Sequence, residues 1–196
     1  ILSFRRPRHI CIRYKYMRVA AGDVALIKEK SDSGKVCLEC RMAGNAIVFN
    51  DADKNVLNYL QDVKGARACA DTFIFEEKDN RDWVLHIIEF KKTINVSTIS
   101  KAKWQLRMGI HNAKAIAAFM GIQLKEIKLY SGFRKDDISD LNNSTLISLR
   151  VGNIGVDERK LWESDKWLMD IGGIQQEYYH YKIHLDSEGN GKVCIK

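Results

Sequence analysis

The chain has 196 residues, 45% of them hydrophobic and one of them proline, and its 32 Lys and Arg outnumber 25 Asp and Glu to leave a formal charge of +7. That length holds one domain, with or without an appendage, and a single proline leaves no Pro-rich linker between several. No apolar run approaches the roughly 20 residues of a membrane-spanning helix, so no membrane partner is expected, and a pI near 9.1 suits a polyanion such as nucleic acid.

Residues 1–20 form a basic arm. Arg5, Arg6, Arg8, Arg13 and Lys15 would track phosphates while Tyr14 and Tyr16 stack on bases; the plain alternative is a solvated edge strand. Residues 22–27, 36–42 and 46–49 read as short strands, with a turn at 31–34. Asn50 or Asp51 can cap a helix through Val56, Leu57, Leu60 and Val63 that stops near Gly65. Two apolar strands follow, near 67–76 and 83–91, and the charged segment 76–82 between them reads as a solvated turn.

Ser97 is expected to cap a helix running to about Met120. Its Ile99, Ala102, Leu106, Ile110, Ala113 and Ala117 recur every three or four positions, the spacing of a core-facing stripe, and Gly121 ends it. Residues 124–130 form the next strand, and the helical crossover predicts that it runs parallel to its sheet partner. Further on, 145–151 and 179–185 read as strands and 158–170 as a helix. Residues 188–191 read as a hairpin turn joining 181–185 to 193–195. The whole is read as one domain over 1–196, with a core at about 50–130 and a C-terminal α+β extension at about 133–196.

Five cysteines, Cys11, Cys37, Cys40, Cys69 and Cys194, are an odd number with no visible secretory signal, which predicts reduced thiols and a cytoplasmic location. Cys37 and Cys40 supply only half of a four-ligand zinc set, so buried thiols are the simpler reading.

The chemistry concentrates in two places. Asp71 opens one apolar strand, and Glu89-Phe90-Lys91 ends the next. Strand side chains alternate faces, so Glu89 and Lys91 point the same way and His86 points the other. Charges at the end of an apolar strand need partners or a task. Glu-x-Lys also occurs at 76–78, 126–128 and 158–160, but only the pair at 89–91 follows an Asp-led strand and precedes a long amphipathic helix. If the two strands are neighbours, Asp71 and Glu89 converge on one divalent cation, and oxygen ligands suit Mg²⁺ or Mn²⁺. Gln105, one position before a core residue of that helix, can reach the site edge. Lys92, Lys101 and Lys103 are placed to meet a nucleic-acid backbone. Glu39, an acid within an apolar strand, is a further ligand candidate, beside Asp51, Asp53 and Asp62 on the helix of 51–63. No P-loop and no Gly-x-Ser-x-Gly elbow is present.

Asp71, then Glu89-Phe90-Lys91, then a helix carrying Lys103-Trp104-Gln105-Leu106 resembles the PD-(D/E)xK nuclease superfamily over roughly residues 50–130, with Ala70 standing where the motif's name has proline. The resemblance implies a restriction-endonuclease-like α/β fold, a central mixed sheet flanked by helices. It implies a metal-dependent nuclease, most simply a DNA endonuclease acting on double-stranded DNA; cutting both strands needs two active sites, so a homodimer is expected from the chemistry. Asp71 and Glu89 would bind Mg²⁺ or Mn²⁺ with the Phe90 backbone carbonyl, Lys91 would serve the attacking water or the phosphate, and Gln105 would support. The rival expectations are a non-catalytic nucleic-acid-binding module of the same fold, and a small-molecule or protein-interaction domain with a chance Glu-x-Lys.

Overall fold

The computed structural model describes residues 16–31, 34–52, 68–78, 82–139 and 156–195. Among these the chain is mostly strand: β1 (Tyr16–Val19), β2 (Val24–Ser31), β3 (Gly34–Met42), β4 (Ala46–Phe49), β5 (Thr72–Glu77), β6 (Trp83–Ile94), helix α1 (Val96–Met120), β7 (Leu124–Asp136), helix α2 (Val156–Glu163), β8 (Lys166–Ile171), β9 (Ile174–His184) and β10 (Asn190–Ile195). The basic arm up to Lys15, residues 53–63 of the expected helix with Asp53 and Asp62, and the strand expected at 145–151 fall on residues outside this description; Asp51 lies within it, in a bend at φ 54° rather than in a helical conformation.

Seven strands form a mixed sheet in the order β1-β4-β5-β6-β7-β9-β8, and three form a second sheet, β10-β3-β2. β5 runs antiparallel to β6, whereas β6, β7 and β9 run parallel. The expected crossover is present: α1 leaves the end of β6 and returns the chain to β7 alongside it. Residues 83–90 are all buried because the central strand is covered on both faces, which is why it reads as a continuous apolar run rather than an alternation.

The alternation reappears once the two coverings are separated. Leu85 and Ile87 of β6, with Phe73 and Phe75 of β5, pack against Ile99, Leu106, Ile110 and Ala113 of α1 and Trp162 of α2. Ile88, Phe90 and Ile74 face the opposite way, onto Ala25, Ile27, Leu38 and Cys40 of the small sheet. Each fully buried Leu, Ile or Phe here contributes about 1.5–3 kcal/mol, so both coverings matter to stability. Both described helices lie on one face, and a sheet, not a helix, covers the other. No helix among the described residues is long and apolar enough to cross a membrane.

Several local expectations change. The N-cap of α1 is Asn95, not Ser97: the Asn95 side chain accepts from the Thr98 N–H at 3.0 Å while the Thr98 hydroxyl accepts from the Asn95 N–H at 2.7 Å, a reciprocal capping box. Gly121 closes the helix in the left-handed conformation, φ 66°. The span expected as one helix to Asp170 divides into α2 and β8. Trp167, Met169 and Ile171 are buried and alternate with Lys166, Leu168 and Asp170, which are not, a period of two that only a strand satisfies. The expected hairpin after β9 does not form, because β10 pairs parallel with β3 in the other sheet.

Glu76 is the largest departure. It is not in a solvated turn but lies within β5 with no exposed surface. Its carboxylate accepts from the backbone N–H groups of Ala43 and Gly44 at 3.1 and 2.7 Å, pairs with Lys78 at 2.6 Å, and meets His86 Nε2 at 3.1 Å. His86 Nδ1 lies 3.0 Å from the Tyr130 hydroxyl. A neutral imidazole that donates from Nε2 and accepts at Nδ1 satisfies both contacts. Burial pushes His86 down, which favours that form. His86 is thus a satisfied core histidine facing away from Glu89.

Candidate functional site

Asp71 lies one step past the registered pair Thr72–Ile88, which puts it directly across from Glu89 on the neighbouring strand. Phe73 and Phe75, two and four positions on, face α1, and so does Asp71 by the strand's alternation. Glu89 and Lys91 continue the Leu85–Ile87 row on the same face. The four sequence candidates therefore meet where β5 begins, β6 emerges from the core and α1 passes over.

The bonds among them are specific. Asp71 Oδ2 accepts the Phe90 N–H at 2.6 Å. The Lys91 ammonium donates to Glu89 Oε1, to Gln105 Oε1 at 2.8 Å, and toward the Phe90 carbonyl at 3.4 Å. Gln105 Nε2 donates in turn to the Cys69 carbonyl at 3.4 Å. Gln105 reaches this far because α1 approaches the sheet closely one turn later: a Cβ on Gly109 would lie 3.1 Å from Ala70 Cβ and 3.3 Å from the Ile87 side chain. A larger residue at 109 would lift the helix, and Gln105 with it.

Asp71 and Glu89 are 7% and 1% exposed, and two adjacent buried carboxylates resist ionising together. Burial, then the charges of Glu89 and Glu29, push the Asp71 carboxyl up to about 9, against the weaker opposing pull of the Phe90 N–H and Lys91. Folding therefore takes up a proton at Asp71 between its ordinary 3.8 and about 9, and stability falls as pH rises through that window. Asp71→Asn keeps an acceptor for Phe90 N–H and removes the titration. At pH 8 in EDTA this variant is expected to be more stable by on the order of 2 kcal/mol, a rise of about 4–8 °C in Tm, with the gain fading toward pH 4. Thermal melts across that range check it; a variant that melts below the wild type at pH 8 refutes the assignment.

The donor set fits a hard divalent cation. Carboxylate oxygens of Asp71 and Glu89 lie beside the carbonyls of Phe90 and Gln105, and the Lys91 ammonium already sits as a cation among three of those oxygens. Among the described residues no three His, Cys, Asp or Glu side chains gather at one point. An ion here would keep several waters, as Mg²⁺ does by preference.

Other candidates are distributed differently. Glu39 lies on the outer face of the small sheet, paired with Lys192 at 2.9 Å, and is not brought to this cluster. Glu29, on β2, is. It follows the buried Ala25 and Ile27 on the inner face and lines a cleft with Phe90, Lys91, Lys92 and Arg134. Drawing the strand on to Ser31 would have revealed Glu29 by the same signal, an acid on an apolar face. Arg134 gave no signal, since it lies beyond the expected end of β7. Lys92 is exposed on the face opposite Lys91, and Lys101 and Lys103 lie on the first turns of α1. There Trp104, 41% exposed, carries the Arg107 guanidinium 5.2 Å from its ring centroid.

Cys37 and Cys40 sit on opposite faces of β3, half-buried and buried, so they do not chelate one ion together. Burial pushes the Cys40 thiol up to about 12. His180 is buried against Trp167 with ring centroids 3.8 Å apart. Its Nε2 lies 2.9 Å from the Ser131 hydroxyl, and burial holds its imidazole neutral, down to about 3. Tyr179 and Tyr181 are exposed while Tyr178 is buried. No protein-family model, no curated protein and no solved structure matches the chain.

Proposed function

We propose that the protein is a metal-dependent nuclease, most simply a Mg²⁺- or Mn²⁺-dependent DNA endonuclease with a restriction-endonuclease-like core. The observation that carries the reading is the meeting of Asp71 with Glu89 across β5 and β6, beside a Lys91 ammonium that Glu89 and Gln105 hold. The order β5, β6, α1, β7, with β7 parallel to β6, supports it, as does the basic charge.

In this reading Asp71, Glu89 and the Phe90 carbonyl hold the cation. The bound ion would lower the pKa of a water and draw negative charge off the phosphate. Lys91 is kept by Gln105 on the site side of β6, where its charge stabilises the phosphate as the new bond forms. Gln105 acts through Lys91 and is a positioning residue. Lys92, Lys101 and Lys103, with the arm residues Arg5, Arg6, Arg8, Arg13 and Lys15, would meet the nucleic-acid backbone. Cutting both strands needs two sites, which favours a homodimer.

The test is incubation of supercoiled plasmid and of a labelled single strand with Mg²⁺, Mn²⁺ or EDTA. Nicking or linearisation that EDTA abolishes is the expected result. If no substrate is cut while salt-sensitive DNA binding persists, the protein is a binding module instead.

A further inference from the structure

We propose that Lys92 and Arg134 form a subsite for one phosphate group of a nucleic-acid backbone, next to the Asp71–Glu89 cluster. The subsite takes its purpose from the nuclease reading, but it can be tested without cleavage.

The two cations are brought together by register. Lys91 pairs with Phe133 and Thr93 with Lys135 across the parallel strands β6 and β7, so Lys92 and Arg134 stand side by side on the face opposite Lys91. They line one cleft with Glu29, Phe90 and Lys91. Lys91 is thus shared: it bonds Glu89 and Gln105 on one side and edges this cleft on the other. Its volume of about 20 Å³ admits a water or one phosphate oxygen, not a base or a sugar.

Arg134 is held in place. Its Nη2 donates to the Lys35 carbonyl, and the guanidinium lies where two turns lack side chains. A Cβ on Gly34 would stand 2.8 Å from Nη2, and one on Gly189 2.5 Å, closer than real side chains pack. Among the described residues the Lys35 carbonyl is its only hydrogen-bond partner, out of five N–H donors. Neither Lys92 nor Arg134 makes an ion pair among the described residues, although Glu29 lines the same cleft. A guanidinium with donors to spare, beside an ammonium, can present its planar fork to two oxygens of one phosphate.

The experiment is anisotropy of a labelled duplex oligonucleotide in EDTA across a salt series, for Lys92→Ala, Arg134→Ala, Arg134→Lys and Glu29→Gln. Each alanine variant is expected to weaken binding about tenfold and to lower the log–log salt slope by about 0.9. Arg134→Lys should recover less than half of the loss, because an ammonium does not replace the fork. Glu29→Gln removes the carboxylate that lines the cleft among the described residues and should tighten binding about two- to fivefold. Arg134→Ala also unbraces two turns, so melts accompany it, and Lys92→Ala and Glu29→Gln decide if it unfolds. Unchanged affinity and slope in those two variants overturn the proposal, and a lowered Tm with unchanged binding in Arg134→Ala reduces that residue to a brace. A wild type that never cuts DNA but binds through Arg134 and Lys92 would keep the subsite and discard the nuclease. Cleavage indifferent to both residues would do the reverse.

Discussion

Lys91→Ala is expected to lower metal-dependent cleavage by about 10²–10³-fold while leaving divalent-cation binding and DNA affinity within a fewfold of the wild type. The cause is geometric. Lys91 is the one ammonium on the α1 face of β6, held by Glu89 Oε1 and by Gln105 Oε1 at 2.8 Å, and its removal takes a fixed positive charge from beside the two carboxylates. Gln105→Ala frees Lys91 without discharging it, so a smaller loss, about tenfold, is expected there. Single-turnover cleavage with saturating Mn²⁺, alongside calorimetric Mn²⁺ titration, separates chemistry from binding. Equal loss of metal affinity and of rate in Lys91→Ala would mean that the lysine only props Glu89.

The second large effect is on stability. Glu76→Ala is expected to cost about 3 kcal/mol or more, because it strands the Ala43 and Gly44 N–H groups, the His86 Nε2–H and the Lys78 ammonium around an empty space. A fall of about 6–12 °C in Tm follows for a chain of this size. The pH dependence has a definite sign. Burial alone would raise the Glu76 carboxyl, but the bonds from His86, Lys78 and Gly44 outweigh it and bring it down to about 2 from 4.5. The unfolded chain therefore binds the proton first, and this stabilisation, complete above pH 4.5, is lost as pH falls toward 2. The wild type should lose stability steeply over that interval and Glu76→Ala should not; parallel acid titrations of the two would disprove the assignment.

Much of the cluster was legible because it breaks a rule. Acids and a lysine at the ends of apolar strands need an explanation, and the structure brings Asp71, Glu89, Lys91 and Gln105 together. The same rule, applied along the charged stretch after Phe75, would have caught Glu76; the density of neighbouring charges hid it, and its partners Ala43, Gly44 and His86 are not local in sequence. Glu39 and Glu29 differ by a single fact, which face of a strand each occupies, and strand boundaries drawn short at Ile27 concealed it. Trp162, Trp167 and Leu168 suit a helical stripe as well as a strand, and the alternating burial and pairing with β9 that make 166–171 a strand appear only in the fold. The partner of β10 is set by the apolar face of β3, and no turn motif reports that.

The placement of β10 has a consequence for how the molecule opens. Asp71, Glu89, Lys91 and Gln105 come from one short stretch of chain, so the contacts among them close cheaply. The cradle around Arg134 does not: its Gly189 side sits just before β10, an edge strand whose pairing with β3 spans most of the chain and closes the longest loop among the described strand pairings. Edge strands with distant partners are the first to fray. If the proposed phosphate subsite holds, transient release of β10 would loosen its grip on a polyanion while the carboxylates and lysine stay assembled. Amide exchange at Val193 and Ile195 faster than at Ile87 and Ile88 would mark that motion, and damage to the last strand would then read as a raised KM with kcat nearly intact.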